Sequence, residues 1–264
     1  MSNSNPIGFF DSGVGGTSIW KEVVHLLPYE NSIYLADSKN APYGEKPIEE
    51  IIALSRKNTE FLLQKNCKLI VVACNTATTN AIKYLRTYYS VPFIGIEPAI
   101  KPAALNSRTK SIGILATKGT LSSELFSKTS ELYASNIEIT EVVGNGLVEL
   151  IEKGKQDSPE IRELLQKLLQ PMLKADIDYL VLGCSHYPYL TKVLSEILPS
   201  KVSIIDSGEA VARQTQRILS ASNLLNLSQV PAKHQLYTNA DVQLLASLID
   251  ADQIPGTRVS YLDF

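Results

Sequence analysis

The stretch Leu69-Ile70-Val71-Val72-Ala73-Cys74-Asn75-Thr76-Ala77-Thr78 does more than any other to limit what this chain can become. Its first five residues form a short apolar run rich in β-branched side chains. Such a run reads as a strand buried on both faces, the kind found in parallel sheets covered by helices. A cysteine follows at the strand's carboxyl end, and the sequence after it opens a helix. Free N–H groups and the positive end of the helix dipole favour an anion there, so the thiol is expected to shift toward thiolate. The arrangement returns at Tyr179-Leu180-Val181-Leu182-Gly183-Cys184-Ser185-His186, with a helix expected from Pro188 to Leu198. Of three cysteines in the chain, two therefore stand in matched settings. Cys67 lacks such a context and reads as structural. Three cysteines do not make a disulfide framework, and free thiols fit a reducing, cytoplasmic setting.

The rest of the chain repeats the strand-then-helix rhythm. Ile7-Gly8-Phe9-Phe10 is a strand ending in Asp11-Ser12-Gly13-Val14-Gly15-Gly16, whose glycines permit close backbone approach or a tight turn. A helix is expected over Thr17–Leu27, a strand over Ile33–Ala36 ending at Asp37, and a helix from Ile48 to Lys65. Between them lies a loop with Ala41-Pro42-Tyr43-Gly44 at turn positions. Asp37 reads either as a cap of that turn or as a site residue. Val91–Ile96 is a fourth strand, and Glu97-Pro98 after it reads as a helix start. A second series follows: strands at Ser111–Ala116 and Ile137–Val143, a helix carrying Glu149 and Glu152, a polar helix from Pro159 to about Ala175, the Cys184 strand, and a strand at Val202–Ile205.

This alternation predicts an α/β fold of doubly wound parallel sheets, with ligands bound beyond the carboxyl ends of the strands. The two series agree in order and spacing, with roughly 65 residues from the first strand end to the cysteine in each. Two pseudo-symmetric domains follow, with the active site in the cleft between them. Residues 1–97 with a returning 208–264 form the first and 98–207 the second. Short segments around Leu236-Tyr237-Thr238 and Arg258-Val259-Ser260-Tyr261 are expected to return to the first domain.

Two equivalent acid/base groups on opposite sides of one carbon suit stereoinversion. One removes a proton from one face, and the conjugate acid of the other returns a proton to the opposite face. Asp11 is placed to assist Cys74, and His186 to assist Cys184, with Glu152 behind the imidazole. The net charge of −2 and pI of about 6.0 give no nucleic-acid footprint. The apolar runs fall far short of the roughly 20 residues of a membrane span. Cys74, Cys184 and His186 are ligand types that suit zinc, but the sequence lacks C-x-x-C or H-x-x-x-H spacing. The glycine loop is neither G-x-G-x-x-G nor a Walker sequence. No metal, cofactor, nucleic acid or membrane partner is therefore expected. A lone buried cysteine is most often a small hydrophobe, and the matched partner is what favours chemistry.

These same segments carry a resemblance. Phe10-Asp11-Ser12-Gly13-Val14-Gly15-Gly16, Ala36-Asp37 with Pro42-Tyr43-Gly44, Ala73-Cys74-Asn75-Thr76-Ala77-Thr78, Glu97-Pro98, Gly183-Cys184-Ser185-His186-Tyr187-Pro188 and Asp206-Ser207-Gly208 resemble the signature segments of glutamate racemase, in order and over nearly the whole chain. The resemblance implies a cofactor-independent enzyme that interconverts L- and D-glutamate and supplies D-glutamate for bacterial peptidoglycan. It implies catalytic roles for Cys74 and Cys184, assisted by Asp11, His186 and Glu152. In the family Cys74's counterpart serves the D-glutamate face and Cys184's the L-glutamate face. Substrate contacts are implied for Asp11, Ser12, Tyr43, Gly44, Cys74, Asn75, Thr76, Thr120, Cys184, Ser185 and His186. Ser185 stands where the family usually has Thr, which keeps the hydroxyl, and Pro47 stands where Ser or Thr is more usual. Rival readings are a racemase or isomerase for another small acid (aspartate, hydantoins, maleate) and a non-catalytic binding protein. A homodimer is expected, although the sequence does not set its interface.

Overall fold

The computed structural model describes residues 3–133 and 136–264. The first half runs β1 (Ile7–Asp11), α1 (Thr17–Leu26), β2 (Ser32–Ala36), α2 (Ile48–Gln64), β3 (Leu69–Val72), α3 (Asn75–Tyr88), β4 (Phe93–Gly95) and α4 (Ile100–Asn106). The second runs β5 (Ser111–Ala116), α5 (Lys118–Leu121), α6 (Glu124–Tyr133), β6 (Glu138–Val143), α7 (Leu147–Ile151), α8 (Pro159–Leu168), α9 (Gln170–Lys174), β7 (Tyr179–Gly183), α10 (Thr191–Ile197) and β8 (Ser203–Ile205). The chain then adds α11 (Gly208–Ala221), β9 (His234–Thr238), α12 (Val242–Ile249) and β10 (Thr257–Tyr261). No helix among the described residues is long and apolar enough to cross a membrane.

Every strand pairing among the described residues is parallel. One sheet has the order β10-β9-β2-β1-β3-β4 and the other β6-β5-β7-β8. Four consecutive strands of the first sheet, β2-β1-β3-β4, repeat the order of the second strand for strand. Registers agree as well: Phe10 faces Val72 as Leu115 faces Leu182. Cys74 and Cys184 each lie two residues beyond the second member of those pairs. The central strands β1 and β3 are buried along their length, which is why they read as unbroken apolar runs.

Two expected helices divide. The span from Pro159 breaks at Leu169, because Pro171 has no N–H to donate and its ring crowds the preceding turn. The span from Pro188 begins as a 3-10 turn, Tyr187–Leu190, before α10. The returning strands β9 and β10 join the edge at β2. That return is held by a buried ion pair at the base of the sheet, Lys68 Nζ to Glu30 at 2.6 Å. The other Glu30 oxygen accepts the N–H of Asn226, and Lys68 also donates to the carbonyl of Asn3.

Candidate active site

The carboxyl ends of β1, β3, β5 and β7 face one another across a cavity of about 230 Å³. Its walls are Ser12, Pro42, Tyr43, Gly44, Cys74, Asn75, Thr76, Thr117, Val148, Cys184, Ser185 and His186. Both cysteines line it, buried and free of disulfides. Among the described residues, no lysine or arginine lines it. Among the described residues, no three His, Cys, Asp or Glu side chains converge as metal ligands.

Cys74 caps α3, its sulfur accepting the N–H of Ala77 at 3.4 Å and lying 3.8 Å from Ser12 Oγ. The helix start does favour thiolate, but burial and the neighbouring Asp11 carboxylate outweigh it, and the thiol is raised well above its ordinary value. The expected lowering of Cys74 is thus overturned, and this cysteine is held protonated at neutral pH. Asp11 is itself buried. One carboxylate oxygen accepts the N–H groups of Gly13 and Gly16, and the other accepts the Ser185 hydroxyl at 3.2 Å. Burial raises its pKa against the pull of His186.

Cys184 follows β7 and no α-helix starts at it. Its sulfur is 3.9 Å from His186 Nδ1, and the imidazole Nε2 lies 2.6 Å from Glu152 Oε1. Glu152, not Glu149, meets the histidine; Glu149 lies at the mouth of the cleft. Burial opposes a charged imidazole, but hydrogen bonds to Cys184 and Glu152 and the carboxylates of Glu152 and Asp11 raise His186 well above its ordinary value. Burial likewise opposes the Glu152 carboxylate, and His186 and the Val14 N–H hold it below its usual range. Both shifts favour the charged forms, an imidazolium beside a carboxylate.

The glycine loop explains how this pair is held. The N–H of Val14 donates to Glu152 Oε1 at 2.7 Å, and the N–H of Gly15 points at His186 Nε2 at 3.3 Å. A Cβ at Gly13 would stand 1.9 Å from Glu152 Oε1, and one at Gly15 would stand 2.2 Å from His186 Nδ1 and 2.6 Å from its main-chain nitrogen. The loop is a seat for the histidine and glutamate of the other sheet. Tyr34 fixes it from beneath by donating to the carbonyl of Gly13 at 2.9 Å.

Asn75 is buried with neither its Nδ2 nor its Oδ1 partnered. Thr120 is buried in a hydroxyl cluster, 3.0 Å from Thr117 and 3.5 Å from Thr76, behind the wall rather than on it. Thr117 forms the wall in its place. The sequence reading missed it along with Pro42 and Val148. The signal was present: Thr117 follows β5 as Ser12 follows β1, and so stands where the repeat puts a second hydroxyl. Glu97 is exposed, and α4 begins three residues later, at Ile100.

A sequence model of the family described as Asp/Glu/Hydantoin racemase matches residues 15–215. A glutamate racemase of Herpetosiphon aurantiacus is 45% identical over 236 residues, covering 89% of this chain and 93% of its own. The structure of Escherichia coli glutamate racemase in complex with L-glutamate and the activator UDP-MurNAc-ala superposes with a TM-score of 0.86, at 31% identity and 98% of both chains. That of the Francisella tularensis enzyme in complex with D-glutamate gives 0.83, at 26% identity and 98% of both chains. A family model spanning most of the chain and relatives of this identity and coverage lead to one conclusion: the chain belongs to the Asp/Glu/Hydantoin racemase family, on its glutamate racemase branch.

Proposed function

We propose that this amino-acid racemase interconverts L- and D-glutamate without a cofactor, through Cys74 and Cys184 acting on opposite faces of the α-carbon. The observation that carries the reading is one small cavity lined by both thiols, in which Asn75 keeps two buried polar atoms without partners. Buried polar atoms without partners cost stability, and a bound polar ligand relieves that cost.

One sulfur, as thiolate, takes the Cα proton while the opposite thiol supplies a proton to the other face, so that one proton leaves and one arrives. Cys184 serves the L face, with the His186 imidazolium as its proton partner held by Glu152. Cys74 serves the D face, and its raised pKa leaves it loaded with the proton that the L-to-D direction consumes. In the reverse direction Asp11 is the adjacent carboxylate able to receive that proton. The negative charge that develops at the substrate carboxylate meets fixed dipoles rather than a lysine or arginine. These are the Ser12, Thr76, Thr117 and Ser185 hydroxyls, the Asn75 amide and the N–H groups near Tyr43 and Gly44. Such donors act strongly in a site closed to water. The same reading gives D-glutamate for peptidoglycan as the product's use, the cytoplasm as its place, a homodimer as the assembly, and residues 1–97 with 208–264 and residues 98–207 as the two domains.

The test is incubation with L-glutamate in deuterated water without added cofactor. Optical rotation should decay as deuterium appears at Cα, and Cys74→Ala and Cys184→Ala should each stop the decay while leaving glutamate binding intact. Turnover of L-aspartate instead of glutamate would overturn the substrate assignment. Undiminished racemisation by either variant would overturn the two-thiol mechanism.

A further inference from the structure

Tyr43 and Gly44 line the cavity, and the side-chain hold on them runs through Asp37 at the base of their loop. The tyrosine hydroxyl is turned away from the site and donates to Asp37 Oδ2 at 2.6 Å, with Asn58 Nδ2 donating to it at 3.2 Å. Asp37 is wholly buried, and among the described residues no lysine, arginine or histidine forms an ion pair with it. It precedes the 3-10 turn Ser38–Asn40 but makes no side-chain cap there. Its other oxygen accepts two amides, Asn40 Nδ2 at 2.8 Å and Asn239 Nδ2 at 2.6 Å.

Asn239 belongs to the returning tail, beyond the residues 15–215 that the family model matches. It follows Thr238, which pairs with Ala36, so the sheet register sets it beside Asp37. Its Oδ1 accepts the N–H of Lys39 at 2.8 Å, so the one buried amide holds both the loop backbone and the carboxylate. A buried carboxylate lacking a cation depends on such donors, and bonds to a charged group are the stronger kind.

We propose that Asn239 is a positioning residue for the active site: it orients Asp37, which fixes Tyr43 and with it the Tyr43–Gly44 backbone that receives the substrate. The kinetic part of the test rests on the glutamate racemase reading above; the exchange part does not. Three variants discriminate. Asn239→Leu keeps the volume and removes both hydrogen bonds. Asn239→Asp keeps the acceptor for Lys39 but sets a carboxylate oxygen against Asp37. The double variant Asp37→Asn with Asn239→Asp exchanges donor and acceptor.

Amide hydrogen exchange is followed in residues 38–46 and, as reference, in β5. Exchange in 38–46 should quicken about tenfold in Asn239→Leu and more in Asn239→Asp, with β5 unchanged and partial recovery in the double variant. KM for glutamate should rise about tenfold while kcat stays within about threefold, the mark of lost binding rather than lost chemistry. Unchanged exchange in 38–46 would overturn the proposal. So would faster exchange in both regions with kcat falling alongside, since that is the pattern of general destabilisation. Should the wild type fail to racemise glutamate, the functional reading falls, and the exchange data alone decide the role of Asn239.

Discussion

Replacing Gly15 by alanine adds a single methyl group at the point where the two sheets meet. That methyl would stand 2.2 Å from His186 Nδ1, 2.4 Å from Cγ and 2.6 Å from the main-chain nitrogen. Comfortable contact needs about 3.5 Å, so the ring must retreat by more than about 1 Å. Rotating the imidazole is not enough, because the main-chain contact remains, and the β7 end itself must move. The 2.6 Å bond between Nε2 and Glu152 and the 3.9 Å approach to Cys184 are disrupted together. Overpacking of this kind costs about 1–3 kcal/mol, or a fall in melting temperature of about 2–6 °C for a chain of this size. A shift of about 1 Å in a proton-transfer group costs about 10²-fold, and loss of a charged hydrogen bond adds to it, so kcat/KM for glutamate should fall about 10²- to 10³-fold. Gly13→Ala is the internal comparison. Its methyl's nearest contacts are with the Glu152 carboxylate, the far end of a side chain that can swing aside, and the loss should be nearer tenfold. Neither glycine has a positive φ, so the pair tests contact and not backbone conformation. The assay is racemisation by circular dichroism in both directions, beside calorimetric melting. A Gly15→Ala enzyme within about threefold of wild-type kcat/KM would refute the idea that the loop seats His186.

Other perturbations separate the remaining forces. Glu152→Gln removes a hydrogen bond and a charge that raise the His186 pKa, so the alkaline limb of the kcat/KM profile should move to lower pH; a limb that stays in place would detach the glutamate from the histidine's titration. His234 is buried beside Trp20 and hydrogen-bonded to Ser32, and its pKa is lowered to about 4 by burial. The unfolded chain therefore binds the extra proton first, and stability present above pH 6.5 is lost as pH falls toward about 4, by at most about 3 kcal/mol. Urea melts at several pH values should show that slope in the wild type and a flatter one in His234→Asn. Lys68→Met strands Glu30 in the sheet base and should cost about 3–5 kcal/mol in the same melts, with a loss under about 1 kcal/mol counting against a structural role for the pair.

The sequence showed the carboxyl-end cysteines because buried parallel strands leave an unbroken apolar signature, and because the same signature occurs twice. It also showed the glycine loop, but not the loop's occupant. Glu152 and His186 lie 138 and 171 residues from the amides that touch them, and no local pattern reports a contact at that separation. The thiol's environment was misjudged in a related way. A cysteine at a helix start is visible in sequence, whereas the burial and the Asp11 charge that outweigh it come from packing. Helix interruptions at Leu169 and at Tyr187–Leu190 depended on two prolines whose effect apolar periodicity hides. The helix α12 and the pairing of the tail were not foreseen, since short segments after residue 222 have too little periodic signal to assign.

The late return of β9 to β2 has a consequence for biosynthesis. Ser32 pairs with His234, so the ribosome must add some two hundred residues after β2 before its partner exists. At about 5–20 residues per second that interval is about 10–40 s. Throughout it β2 offers an unpaired parallel edge, a template for pairing with another nascent chain. The second sheet is made from strands close in sequence and can form while the first waits. The tail is thus the last piece to arrive and the one that closes the open edge, and truncation before residue 234 should yield a protein that aggregates rather than one that is merely less active.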